Sequence, residues 1–208
     1  MALALTGFSV LAGGLLGWVN DVTAEPIAQA KDKALSDAIA VVVPGFDNNP
    51  AEAPETVEVN GATYKIYKAT KNGQPIGAAV ESAANGFGGA LTVLVGFDNE
   101  GKIIDYSLLS HAETPGLGSK AADWFKKGAK GDITGKNPGK SPLTVSKDGG
   151  DIDAITASTI TSRAFLLAVN NAYAAYKNQY VDGASGATQQ EKPAEEAASD
   201  TTNVEPVK

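Results

Sequence analysis

Residues 90–110 read Ala90-Leu-Thr-Val-Leu-Val-Gly-Phe97, then Asp98-Asn-Glu-Gly101, Lys102, and Ile103-Ile-Asp-Tyr-Ser-Leu-Leu-Ser110. The first run is almost continuously apolar and short, the signature of a strand buried on both faces. The Asp-Asn-Glu-Gly segment is a turn signal, so the two runs form a hairpin. Upstream, Ala62–Thr70 alternates with Tyr64 and Ile66 on one face. Asn72-Gly73 is a tight-turn dipeptide joining that stretch to Ile76–Val80. Downstream, Ala121–Lys127 predicts a short helix, and a Gly/Lys/Pro-rich loop holds a short strand at Leu143–Val145. Ser162–Tyr180 predicts a long helix with Phe165, Val169, Ala172, Tyr173 and Tyr176 on one stripe. These elements make an α+β fold, an antiparallel sheet with flanking helices.

The N-terminal segment Met1–Asn20 contains no charged residue; the first is Asp21. About 20 apolar residues span a bilayer as a helix, so residues 1–22 are read as one transmembrane helix that anchors the chain to a membrane. Trp18 sits where an interfacial aromatic belongs. The rival reading is a cleaved secretory signal, with Val22-Thr23-Ala24 as the small-residue cleavage site, but no basic residue precedes Lys31. The spacing of Ile27, Ala30, Ala34, Leu35, Ile39 and Val42 predicts an amphipathic helix. Pro44-Gly45 ends it, so residues 23–50 are a connecting helix and loop. Residues 51–181 form the main domain. Residues 182–208 lack aromatics and form a disordered acidic tail, carrying six acids and two bases.

Composition excludes whole classes of chemistry. The 208 residues include no cysteine and one histidine. There is no disulfide framework, no thiolate nucleophile and no Cys-ligated metal or cluster, and no metal site is expected. The net charge of -7 without a basic block argues against nucleic acid as a partner. Any redox or transfer chemistry must come from hydroxyls, carboxylates or a borrowed organic cofactor.

Two stretches can bind such a group. His111-Ala-Glu-Thr-Pro-Gly-Leu-Gly-Ser119 follows a strand, and its glycines let backbone approach a flat ligand. It also reads as an ordinary turn with Ser119 as a helix N-cap. Asp153-Ala-Ile-Thr-Ala-Ser-Thr-Ile-Thr-Ser162 puts four hydroxyl residues before the long helix, and helix N-termini bind phosphate. It also reads as an N-cap, with Thr161 or Ser162 capping. His111 has no acid paired with it nearby in sequence and is read as structural or exposed.

The chain resembles the RnfG family, the FMN-binding subunits of the Rnf electron transport complex, and their NqrC relatives in the sodium-pumping NADH:quinone reductase. The resemblance rests on Gly86-Phe-Gly-Gly89, the Asn99-Glu-Gly101 turn, His111–Ala121 and Asp153–Ala164, in that order. In that family a threonine hydroxyl carries FMN through a phosphoester placed there by a flavin transferase. By resemblance, Thr159 is the covalent site. Thr156, Ser158 and Thr161 surround the phosphate, and Glu113, Thr114, Gly116, Leu117 and Gly118 border the ring or phosphate. The family motif has Gly-Ala where this chain has Ala157-Ser158. A second match, Asp182-Gly-Ala-Ser-Gly-Ala-Thr188, lies in the acidic tail without a helix after it.

The resemblance implies a membrane-anchored electron carrier, not catalytic by itself, in an ion-translocating ferredoxin:NAD oxidoreductase. Its partners are the other membrane and iron–sulfur subunits of the complex. The anchor is single-pass in the bacterial inner membrane, with the FMN domain periplasmic. An NqrC-like flavoprotein of the quinone reductase is one alternative. An extracytoplasmic small-ligand module without redox role is another.

Overall fold

The computed structural model describes residues 2–59 and 61–177, with the side chains of residues 2–5 and 8 outside the description. The sheet is a five-stranded antiparallel meander in the order β1-β2-β3-β4-β5. β1 is Glu55–Val59, β2 Ala62–Lys71, β3 Gln74–Asn85, β4 Ala90–Asp98 and β5 Ile103–Ser110. The β2–β3 hairpin closes through Asn72 and Gly73, both at positive φ (51° and 74°), the pair of values a two-residue turn matching strand twist requires. In the β4–β5 turn, Asp98 Oδ1 accepts the Glu100 and Lys102 amides, at 2.9 and 2.8 Å.

The expected fold class is present, and several details differ. β1 lies outside the expected strands; its Glu-Thr-Val-Glu-Val pattern buries only Val57 and Val59 in part, because it is an edge strand. β3 extends beyond Val80 to Asn85. The predicted strand at Leu143–Val145 reduces to one parallel bridge between Val145 and Ile152. The predicted Ala121–Lys127 helix is a single turn, α2, Ala121–Trp124. The long helix, α3, is Thr159–Tyr176 and so begins before Ser162. Its hydroxyl-rich first turn has weak helix propensity, yet Thr161 and Ser162 are buried by tertiary contacts.

Each sheet face carries a helix. α3 covers one, with Phe165 stacked on Phe125 at 4.4 Å and edge-on to Tyr106 at 4.7 Å. The end of α1 (Ala2–Val42) covers the other, where Ala38, Ile39, Val42 and Val43 pack with Tyr67, Ala69, Ala79 and Leu94. This double coverage is why β4 reads as a continuous apolar run. Gly96 lets α1 approach: a Cβ there would collide with the Val42 carbonyl oxygen.

α1 is one helix of 41 residues that includes Pro26, so the segments expected as anchor and connecting helix are continuous. Residues 13–34 are exposed, including Leu15, Leu16, Trp18, Val19, Val22 and Ile27. Among the described residues no helix is long and apolar enough to cross a membrane. Part of the stretch expected to do so, the side chains of residues 1–5 and 8, lies outside that description. The predicted tail, residues 182–208 with Thr188, lies outside it entirely.

Candidate functional site

The loop after β5 and the start of α3 meet at a cavity of about 410 Å³. It is lined by Phe87, Glu113, Thr114, Leu117, Gly118 and residues 157–161. Its volume falls within the ~300–1,000 Å³ typical of small-molecule sites. The two stretches singled out in the sequence are distant along the chain and form two of its walls.

Glu113 joins them. Its Oε2 accepts the Thr161 hydroxyl at 2.7 Å, and its Oε1 accepts the Gly88 amide at 3.2 Å. The residue is 6% exposed. A carboxylate so buried is tolerated because donors meet both oxygens. His111 Nδ1 accepts the Glu113 backbone amide, at 3.2 Å, which gives the lone histidine its structural role. Gly118 completes the junction, since a Cβ there would lie 2.5 Å from Glu113 Oε2 and 2.9 Å from Thr161 Oγ1.

Thr159 is the first residue of α3 and Ser158 is its N-cap residue. Ser158 makes no side-chain cap bond. Neither Thr161 nor Ser162 caps the helix. Thr161 donates to Glu113, and the Ser162 hydroxyl donates to the Ser158 carbonyl and accepts the Ile155 amide. The first intrahelical bond is Ser162 N–H to Ser158 O, at 3.0 Å. The amides of Thr159, Ile160 and Thr161 therefore precede the helical ladder, at the positive end of the helix dipole. No acidic residue occupies this first turn. Ala157 is held at φ 61°, a conformation that favours glycine. Ser119 is likewise no side-chain cap; its hydroxyl accepts the Gly116 amide at 2.9 Å.

Of the expected site residues, Glu113, Thr114, Leu117, Gly118, Ser158, Thr159 and Thr161 line the cavity. Gly116 (φ 75°) and Thr156 lie in the adjoining turns, both exposed, and are not among its lining residues. Sequence reasoning left out Phe87, Ala157 and Ile160. Phe87 stands in the Gly86–Gly89 turn, closed by Gly86 N–H to Gly89 O at 2.8 Å, and is 70% exposed. A lone aromatic between glycines was the available signal for it.

The family model for the FMN-binding domain matches residues 86–174. Among known proteins, the G subunit of the ion-translocating oxidoreductase complex of Yersinia pestis is 36% identical over 182 residues, covering 82% of this chain and 86% of that protein. The chain belongs to the RnfG family of ion-translocating oxidoreductase complexes. The same-named proteins of Vibrio cholerae serotype O1 (strain M66-2) and Vibrio parahaemolyticus are 34% and 35% identical, covering 86% and 81% of this chain. They are covered over 89% and 84% of their own lengths. A solved structure of the C subunit of the Na(+)-translocating NADH-quinone reductase from Parabacteroides distasonis is similar at 21% identity. Its TM-score is 0.49, covering 78% of this chain and 96% of that one. The matched domain of this RnfG family member, residues 86–174, contains every lining residue of the cavity.

Proposed function

We propose that this RnfG family member carries FMN as an electron-transfer subunit of an ion-translocating oxidoreductase complex and is not catalytic by itself. The observation that carries the reading is the cavity where the 113–118 loop meets the start of α3, inside the FMN-binding domain. FMN, when bound, supplies reversible one- and two-electron chemistry. The walls fit such a ligand. The free amides and dipole of α3 favour a phosphate at Thr159. Phe87 and Leu117 present exposed apolar surface suited to a flat aromatic ring (70% and 41% exposed). Glu113, already bonded at both oxygens, offers no donor to a phosphate and keeps the two walls together.

The finer reading assigns Thr159 as the covalent attachment point through a phosphoester, made by a flavin transferase. Thr159 is half-buried on the cavity wall, so its hydroxyl is accessible to such a reaction. Residues 1–22 are the proposed single-pass anchor in the bacterial inner membrane, with the FMN domain periplasmic and the remaining members of the complex as partners. The exposed apolar side chains of Val10, Leu11, Leu15, Leu16 and Trp18 support a nonaqueous setting for that part of α1.

The test is co-expression of the full chain with a flavin transferase, followed by intact-mass spectrometry. Wild type should gain one FMN less a water and give a fluorescent denatured band. Thr159→Val should lose the label and Thr188→Val keep it. A colourless wild-type protein overturns the flavin reading. A label that survives Thr159→Val and disappears in Thr188→Val moves the attachment to the tail.

A further inference from the structure

Lys147 lies outside every motif in the sequence, yet its Nζ donates to Thr159 Oγ1 at 3.2 Å. The lysine sits in a 3-10 turn, Ser146–Asp148, that a rigid frame presses against α3. Val145 and Ile152, both 1% exposed, form the base of that turn. Ser146 N–H donates to Ile152 O at 2.8 Å. Arg163, one turn into α3, holds Asp148 in a bidentate pair, with Nε and Nη2 contacts of 2.6 and 2.7 Å. Such fork-to-carboxylate pairs fix orientation as well as distance. The neighbouring ammonium is thereby delivered to the Thr159 hydroxyl.

We propose that Lys147 is the positioning residue for the phosphate at Thr159, neutralising the anion that the α3 amides alone would share with solvent. The proposal rests on the assignment of Thr159 as the attachment point and deepens it. In the transfer, Thr159 Oγ1 forms a bond to the FMN phosphorus of a flavin dinucleotide. The bond from that phosphorus to the oxygen bridging to adenosine monophosphate breaks, and the nucleotide leaves with that oxygen. The hydroxyl proton passes to water or to a base of the transferase, and no oxidation state changes. The chain begins with a neutral hydroxyl and ends with a phosphodiester monoanion on the same atom. A cation 3.2 Å from that oxygen therefore interacts more strongly with the anionic phosphoryl group, during its transfer and in the product, than with the starting alcohol.

The experiment uses the full chain, purified without flavin, with purified transferase and excess flavin dinucleotide, and follows label by intact mass over time. Lys147→Gln should slow labelling about tenfold, in line with a charged hydrogen bond, and Lys147→Arg should restore most of the rate. The wild-type to Lys147→Gln ratio should narrow as salt rises from about 50 mM to 500 mM, because the effect is electrostatic. Melting temperatures of the unlabelled variants should match wild type, since the lysine contact is exposed. Labelling of Lys147→Gln at the wild-type rate, or a ratio insensitive to salt, overturns the role of Lys147. Retained labelling in Thr159→Val instead overturns the attachment assignment beneath it, so the two failures are distinguishable.

Discussion

Ala157 adopts a left-handed conformation immediately before the helix that presents Thr159. For an L side chain this costs about 1–2 kcal/mol. Glycine would remove that cost but add about 0.4–1 kcal/mol of unfolded-chain entropy. The first effect is the larger, so Ala157→Gly should stabilise the protein by roughly 0.5–1 kcal/mol. Its melting temperature should rise by about 1–4 °C for a chain of this size. A lower melting temperature in calorimetry would show that the methyl group contributes packing that outweighs its strain. The family motif with glycine here thus differs from this chain by more than a methyl group. The sequence alone showed a small volume change, because φ is not visible in composition.

At the scale of elements, the site is held by one carboxylate linking three segments: the Gly86–Gly89 turn, the 113–118 loop and α3. Glu113→Ala would leave the Thr161 hydroxyl and the Gly88 amide without their partner. Gly88 is exposed and its amide can turn to water, whereas the unmet hydroxyl of buried Thr161 costs about 1–3 kcal/mol, so the variant should lose roughly that much in urea unfolding. Glu113→Gln keeps the shape, and its amide can serve both partners after the Thr161 hydroxyl rotates, so it should recover most of the loss. If Glu113→Ala unfolds at the wild-type denaturant midpoint, the carboxylate does not join the walls. The motif around Glu113 was legible as a glycine-bearing loop after a strand, and Thr114, Leu117 and Gly118 line the cavity beside it. Its second role was not legible, because Thr161 lies 48 residues away and no local pattern links them.

At the scale of the whole molecule, the two-sided sheet buries tyrosines on both faces. Tyr67 and Tyr106 are each 1% exposed or less. Burial raises the Tyr106 phenol most, opposed by the Phe125 amide and reinforced by nearby carboxylates. Burial raises Tyr67 too, reinforced by Glu81, and burial is the leading cause at Tyr64 and Tyr176. A phenol whose folded pKa lies above its unfolded value stabilises fully below the unfolded value. That contribution is lost as pH rises from it towards the folded value. Stability should therefore be flat through neutrality and fall above pH ~10. Tyr106→Phe should show a shallower alkaline decline, at the cost of the bond its hydroxyl donates to the Ala121 carbonyl at 2.7 Å. An identical alkaline slope in chemical denaturation of the two proteins would exclude Tyr106 from the effect.

Residue order alone was enough for the sheet's inner hairpins, the C-terminal helix and the make-up of the two loops. Each is a local matter of turn chemistry and hydrophobic period within about ten residues. Packing settled what those patterns leave open. Edge strand β1 needed the register of β2, and the start of α3 at Thr159 needed the burial of Thr161 and Ser162. Lys147 needed a turn and an ion pair that bring residues 12 apart into contact. Phe87 joined the cavity only because Glu113 ties its turn to the opposite wall. A one-dimensional pattern reports which groups are apolar, polar or conformationally free. Which of them converge on one ligand depends on contacts between distant segments, and those exist only once the sheet has brought the segments together.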